Sequence, residues 1–243
     1  MAPQSRALPL LLTRPAAQGE RFAADLAARF GPRLHIIAAP LMMPEFRTPD
    51  WPDLPFAALI LTSETGVEAA RRLRDAGRKL PRQALCVGDR TAAVARSAGF
   101  DATSAQGDAE ALLALILASG QPGPFLHLRG AEARGDIAPR LAARGIPAHA
   151  AVVYAQIVQP LAAAAQVMLD GPDPVILPLF SPRSAHVFAE SARISAPLWI
   201  AALSSGVAQA AAPLHPARLV TADRSDAAAM IAAIATLLAD PAA

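Results

Sequence analysis

The sequence predicts an α/β fold made of two similar domains, each built around a parallel sheet. The chain repeats itself about half its length apart, because Leu11–Arg29 (LLTRPAAQGERFAADLAAR) resembles Leu126–Arg144 (LHLRGAEARGDIAPRLAAR). Short apolar runs also alternate with alanine-rich helical patterns almost throughout, which is typical of parallel sheets covered by helices. The length of 243 residues suits two such domains. We expect the ligand site in the crevice between them, a common place for one.

The predicted strands are short apolar runs bounded by turn residues. In the first half they are Leu8–Thr13, Leu34–Ala38, Ala57–Leu61, Ala84–Val87 and Asp101–Ser104; in the second half they are Phe125–Leu128, Ala148–Val153, Val175–Phe180, Leu198–Ala202 and Arg218–Thr221. Helices are expected between them. The segment Gln18–Phe30 places Phe22, Leu26 and Phe30 on one face at a spacing of four, which predicts a core-facing helix.

Two segments interrupt this alternation at equivalent places in the two repeats, after the second strand of each. Ala39–Pro55 is rich in proline and has no helical period, and Tyr154–Pro174 holds an alanine-rich stretch between proline-bearing ends. We interpret both as extended connections between the domains. Such connections are expected to act as a hinge that closes over the ligand.

Composition excludes several classes of protein. Cys86 is the only cysteine and lies in an apolar run, so we expect a buried, inert thiol and no disulfide framework. The five histidines are scattered and lack the spacing of metal ligands. The apolar run Leu8–Leu12 is too short for a signal peptide, and no stretch is long and apolar enough to span a membrane. A cytoplasmic protein without a nucleic-acid partner is therefore expected.

The turns at the carboxyl ends of the predicted strands carry many arginines and hydroxyls. Ligands bind at this edge of open parallel sheets, where helix N-termini favour anions. The expected ligand contacts in these turns are Arg14, Ser63, Gly66, Thr91, Arg129, Ser181, Arg183 and Ser204. The alternative for Ser63 and Ser181 is that they only cap helices, a common role of serine. Taken together, the two edges favour a polyanionic ligand.

The usual motifs of cofactor and covalent chemistry are absent from the sequence. It contains no GxGxxG after a strand, no GxxxxGK[ST], no HExxH and no GxSxG. An enzyme with this sequence is therefore expected to work with no cofactor, no metal and no covalent intermediate.

Several motifs together resemble the uroporphyrinogen-III synthase family. In order they are LLTRP, LTSETGV, CVGDRTAAVARSAGF followed by GDAEALL, FLHLRG followed by Arg134-Gly135, VVY, and LFSPRSA, and they cover nearly the whole chain. The resemblance implies two flavodoxin-like domains, that is, doubly wound parallel sheets. Repetition alone would place one repeat in each domain. The resemblance instead implies interlacing, with residues 1–37 and 160–243 in one domain, 45–150 in the other, and 38–44 and 151–159 as connections.

The same resemblance implies a function. Members of the family are cofactor-independent lyases of tetrapyrrole, porphyrin and heme biosynthesis, which close hydroxymethylbilane to uroporphyrinogen III with loss of water and inversion of the last pyrrole ring. The heavily carboxylated substrate agrees with the arginine-rich edges, and Arg134 joins the expected contacts. Such catalysis works mainly by positioning. We expect a monomer. The alternative is a non-enzymatic two-domain binder of a polycarboxylate ligand, or an inactive paralog.

Tyr154 is the only tyrosine and matches the tyrosine of the VVY motif. The resemblance makes it the candidate for helping the hydroxyl leave, because a phenol is protonated at neutral pH and can donate a proton. The alternative is a ring that packs at the domain junction with its hydroxyl in water.

Overall fold

The computed structural model of the chain describes residues 7–132 and 136–239, and this part holds eleven strands and nine α-helices. The strands are β1 (Leu8–Leu12), β2 (Leu34–Ala38), β3 (Met42–Phe46), β4 (Ala58–Leu61), β5 (Gln83–Cys86), β6 (Asp101–Ser104), β7 (Phe125–Gly130), β8 (Ala148–Val158), β9 (Val175–Leu179), β10 (Leu198–Ala202) and β11 (Arg218–Thr221). The α-helices are α1 (Ala16–Phe30), α2 (Glu64–Asp75), α3 (Asp89–Ser97), α4 (Ala109–Ala118), α5 (Ile137–Ala142), α6 (Ala163–Asp170), α7 (Pro182–Ser191), α8 (Ser205–Ala211) and α9 (Ala227–Ala239). None of the described helices has the length and apolar character needed to cross a membrane.

All ten strands predicted from the sequence are confirmed, and only β3 was not predicted. The stripe of Phe22, Leu26 and Phe30 lies on the buried face of α1, as its spacing predicts. Cys86 is fully buried at the end of β5.

The first compact unit consists of Met1–Met43 and Val158–Ala243. Its sheet has five parallel strands in the order β11-β10-β9-β1-β2, so the N-terminal strand lies between β2 and β9. One face packs against α1 and α9, and the other against α6, α7 and α8. Helices therefore cover both faces of the sheet, as in doubly wound folds.

The second compact unit is the continuous segment Pro44–Ile157. Its sheet has six strands in the order β3-β8-β7-β4-β5-β6, and the strands from β4 to β8 pair in parallel. Helices α2 and α3 cover one face, and α4 and α5 cover the other.

The two sheets have the same order of equivalent strands. Strands β2-β1-β9-β10-β11 of the first unit correspond to β8-β7-β4-β5-β6 of the second, which is the flavodoxin-like order. The first two strands of each repeat thus share a sheet with the last three strands of the other repeat. The predicted fold class, two interlaced flavodoxin-like α/β sheets, is confirmed.

The chain passes between the units within strands β3 and β8, which are neighbours in one sheet. The Arg47 N–H donates to Val153 O (2.8 Å), and the Gln159 N–H donates to Leu41 O (2.8 Å). Since residue numbers rise along one strand as they fall along the other, the pair is antiparallel. Of the two ranges expected as extended connections, 38–44 includes the start of β3 and 151–159 includes the second part of β8. The physical reason is that each crossing segment satisfies the backbone hydrogen bonds of the other.

Candidate functional site

Six of the predicted ligand contacts lie at the topological switch points of the two sheets, where doubly wound folds bind ligands, whereas Thr91 and Ser204 follow the next strands, β5 and β10. In the first unit the switch point lies between β1 and β9, because the chain goes from β1 to β2 on one side and from β9 to β10 on the other. Arg14 follows β1, and Ser181 and Arg183 follow β9.

In the second unit the equivalent switch point lies between β7 and β4. Arg129 belongs to the end of β7, whereas Ser63 and Gly66 follow β4. Each unit thus places arginine and serine side chains at its own switch point.

In the first unit, Arg14 lies against an aromatic side chain. The central carbon of its guanidinium is 3.8 Å from the centroid of the Phe180 ring, and its Nη2 donates to Gln18 Oε1 (3.2 Å). Phe180 in turn meets Phe22 edge-on, with 5.1 Å between ring centroids. A cation over a ring face gains roughly 0.5–2 kcal/mol, so Phe180 orients the guanidinium. The sequence reasoning missed Phe180, although it directly precedes the Ser181 turn.

The serines of the first unit cap helices. Ser181 Oγ accepts the Ser184 N–H (3.1 Å) and Ser184 Oγ accepts the Ser181 N–H (3.2 Å), which forms a capping box at α7. Ser204 Oγ accepts the Val207 N–H (3.4 Å) at the start of α8. Arg183 is half-buried in the first turn of α7. The capping role weighed for Ser181 is therefore confirmed, and a ligand contact would be an additional role.

In the second unit, a hydrogen bond joins the hydroxyls of Tyr154 and Ser63. Tyr154 Oη lies 3.0 Å from Ser63 Oγ, and Ser63 Oγ also accepts the Gly66 N–H (3.0 Å) as the N-cap of α2. Only 8% of Tyr154 is exposed. Most of the ring is thus packed, and the strand order brings its hydroxyl to Ser63. The Gly66 amide, expected to contact the ligand, is engaged by Ser63.

Gly130 makes room for the tyrosine ring. It ends β7 and pairs with Tyr154 at an irregularity in the ladder between β7 and β8. A Cβ at this position would lie 2.6 Å from Tyr154 Cζ and 2.9 Å from Tyr154 Oη, closer than real Cβ atoms approach. Sequence reasoning did not single out Gly130. The signal was a glycine at a strand end beside a candidate arginine.

The remaining predicted contacts have different surroundings. Thr91 lies in the first turn of α3 and is only 7% exposed, so little of its side chain is accessible to a ligand. Arg129 is half-buried, and its Nε donates to Gly130 O (3.2 Å). Arg134 lies outside the described residues.

Two buried titratable groups of the second unit are uncharged at neutral pH. Burial, with a smaller contribution from Arg129, lowers the pKa of His127 to about 4. Burial raises the pKa of the Cys86 thiol to about 11, which is consistent with the inert thiol expected from the sequence.

Comparisons with known proteins give a matching family and similar solved structures. The family model described as uroporphyrinogen-III synthase HemD matches residues 28–232. The chain is similar in structure to uroporphyrinogen-III synthetase from Helicobacter pylori, with a TM-score of 0.65 and 18% identity over 95% of this chain and 99% of that one. It is also similar to a mutant uroporphyrinogen III synthase from Thermus thermophilus, with a TM-score of 0.50 and 15% identity over 96% and 100% of the two chains. At these identities the structural matches show the fold alone. No curated protein sequence matches the chain.

Proposed function

The chain belongs to the uroporphyrinogen-III synthase family, and we propose that it closes hydroxymethylbilane to uroporphyrinogen III with loss of water. The observation that carries this proposal is the Tyr154 hydroxyl, held 3.0 Å from Ser63 Oγ beside the switch point of the second unit. A fixed phenol at this edge is a proton donor for a departing hydroxyl. This is a cofactor-independent lyase reaction.

Binding of the polycarboxylate substrate rests on several weak contacts. The donors that we expect in the first unit are Arg14, Ser181, Arg183 and Ser204. Those that we expect in the second unit are Arg129 and Arg134. Hydrogen bonds to charged groups contribute about 1.5–3 kcal/mol at best, and exposed ones less. Loss of any one arginine is therefore expected to raise KM by a modest factor.

The chemical step needs one proton donor. The C–O bond of the terminal hydroxyl breaks as the pyrrole nitrogen supplies an electron pair, which leaves an azafulvenium cation. Tyr154 gives its proton to the departing oxygen, which leaves as water. The substituted α-carbon of the last ring attacks this cation and becomes a spiro centre. The older bond from that carbon to the methylene of the preceding ring then breaks, and this methylene forms a new bond to the free α-carbon of the last ring, which inverts the ring. Loss of one proton from that ring restores the phenol, so water is the only other product.

The decisive experiment uses freshly generated hydroxymethylbilane. With the protein present, we expect the type III isomer, separated from type I by chromatography after oxidation. Formation of the type I isomer alone, which arises spontaneously, would overturn the proposal and favour a binder or an inactive paralog.

Replacement of Tyr154 tests the chemical role. Tyr154→Phe removes the proton donor, and we expect kcat to fall by about ten- to a hundredfold, near the low end for general acids because pyrrole electrons assist departure. The change in KM should be smaller, and circular dichroism should be unchanged. An unchanged kcat in the folded variant would leave Tyr154 with a packing role only.

The oligomeric state and location belong to the same proposal. We propose a monomer that acts in the cytoplasm, as expected from the sequence. Sedimentation equilibrium tests the first point, and a concentration-dependent mass at working concentrations would contradict it.

A further inference from the structure

Ser63, Gly66 and Tyr154 form a continuous chain of hydrogen bonds that ends at the phenol. The Gly66 N–H donates to Ser63 Oγ, and Ser63 Oγ lies within hydrogen-bond distance of Tyr154 Oη; both separations are 3.0 Å. Gly66 lies in the first turn of α2, a helix of twelve residues that begins directly after Ser63. The chain of bonds therefore starts at the positive end of a helix.

Either hydroxyl of this pair could donate to the other, and the two arrangements have opposite consequences. If Tyr154 donates to Ser63, its single proton is engaged inside the protein and cannot reach a substrate. If Ser63 donates to Tyr154, the phenol proton remains available to a departing oxygen. The direction of one hydrogen bond thus decides whether Tyr154 can act as an acid.

We propose that Ser63 is a positioning residue that donates its proton to Tyr154 Oη and so leaves the Tyr154 proton for the substrate. This inference rests on the proposed function. In this arrangement each group donates to the next: the Gly66 N–H to Ser63, the Ser63 O–H to Tyr154, and the Tyr154 O–H to the substrate. Bonds aligned in this manner polarise one another, and the helix terminus favours negative charge on the phenol oxygen as its proton departs.

The surroundings of Tyr154 hold its ring in place, so that its hydroxyl stays beside Ser63. Only 8% of the residue is exposed, and the ring lies where a Cβ on Gly130 would stand 2.6 Å from Cζ. The ring therefore fills the space that the glycine leaves beside it. Ser63 is itself fixed, because its Oγ caps α2.

The test replaces Ser63 by side chains that separate capping from proton donation. Ser63→Asp keeps the helix cap, because aspartate caps as well as serine, but an ionised carboxylate only accepts hydrogen bonds. It would draw the Tyr154 proton toward itself. We expect kcat to fall by about ten- to a hundredfold, at or below the low end of what general acids contribute. Ser63→Thr keeps both the cap and the hydroxyl and should retain most of kcat.

A double variant separates this role from other effects of the new charge. Repulsion of the anionic substrate by the introduced carboxylate would appear in KM, whereas the positioning role appears in kcat. In a Tyr154→Phe background, Ser63→Asp should cause little further loss of kcat, because the phenol proton that the new carboxylate would accept is absent. Unfolding temperatures of all variants check that α2 remains capped.

The outcomes distinguish the inference from the proposed function. An inactive wild-type protein would overturn the function. An active wild-type protein in which Ser63→Asp and Ser63→Thr have equal kcat would overturn the role of Ser63 alone. Equal further losses from Ser63→Asp with and without Tyr154 would do the same.

Discussion

At the scale of single residues, the contact between Gly130 and Tyr154 decides the placement of the phenol. Gly130→Ala would put a Cβ within 3 Å of three atoms of the Tyr154 side chain, so the ring has to move. Overpacking of this kind costs typically about 1–3 kcal/mol, and we expect that loss in the free energy of unfolding together with a lower kcat. Urea unfolding and single-turnover assays measure the two effects.

Gly171→Ala is the matched control. Gly171 has a φ of −78°, and a Cβ there would lie 3.4 Å from its nearest neighbour, Met168 O. We expect stability within about 1 kcal/mol of the wild type, because alanine fits this conformation. If Gly130→Ala were as stable and as active as Gly171→Ala, the contact would not constrain Tyr154.

His127 should make stability depend on pH. Its Nε2 is buried with no hydrogen-bond partner among the described residues, and burial lowers its pKa from 6.5 to about 4. Between these values the unfolded chain binds a proton that the folded chain does not. Stability is therefore complete above about pH 6.5 and decreases as the pH falls toward 4, by roughly 3 kcal/mol at most.

The measurement compares the wild type with His127→Phe. The phenylalanine variant cannot titrate, so its free energy of unfolding should change less between pH 6.5 and pH 4. The quantity to compare is the change in the free energy of unfolding with pH. The absolute stability is less informative, because the substitution also changes packing. Identical slopes would show that another group causes the pH dependence.

Sequence reasoning can propose residues for the candidate site, but it cannot give the contacts between residues that lie far apart in the sequence. Ser63 and Ser181 precede helical patterns, so their capping role could be weighed from neighbouring residues alone. The bond between Ser63 and Tyr154 could not, because the two lie 91 positions apart and meet only through the strand order β8-β7-β4. The ring of Phe180 under Arg14 depends in the same way on the pairing of β1 with β9.

At the scale of elements, the start of α7 tests whether a capping serine also binds substrate. Ser181→Ala should lower the free energy of unfolding by about 1 kcal/mol, and Ser181→Asn should restore it, because asparagine is a good N-cap. If Ser181 also contacts a substrate carboxylate, KM rises in both variants. Thermal unfolding and steady-state kinetics give the two readouts. A KM that stays at the wild-type value in both would limit Ser181 to capping.

Strand β3 and the last five residues of β8 were not predicted from the sequence, and pairing between distant segments explains both. β3 contains Pro44, which lacks an N–H and is tolerated because β3 lies at the edge of its sheet. β8 continues five residues past its predicted end because β3 pairs with it. Each strand is stabilised by a partner far away in the sequence, which local patterns cannot indicate.

At the scale of the whole molecule, the interlaced strand order predicts which fragments fold. Pro44–Ile157 contains nearly all of the six strands of its sheet, so we expect this fragment to unfold cooperatively on its own. A fragment of residues 1–121 ends between α4 and β7 and separates β1 from β9 and β4 from β7. We expect it to lack a cooperative transition. Circular dichroism during heating shows whether each fragment has a cooperative transition. A cooperative transition in residues 1–121, and none in Pro44–Ile157, would contradict the interlaced arrangement.

The strand order also governs how the protein emerges from the ribosome. β1 and β2 are synthesised long before β9, the neighbour of β1, which begins only at Val175, after the whole second unit. At about 5–20 residues per second, the apolar N-terminal strands wait roughly 7–30 s for that partner. The second unit can fold during this interval, whereas Leu10, Leu11 and Leu12, fully buried at the end, stay without their final sheet. We therefore expect chaperones to bind β1 and β2, rather than the strands of the second unit, while the protein is being made.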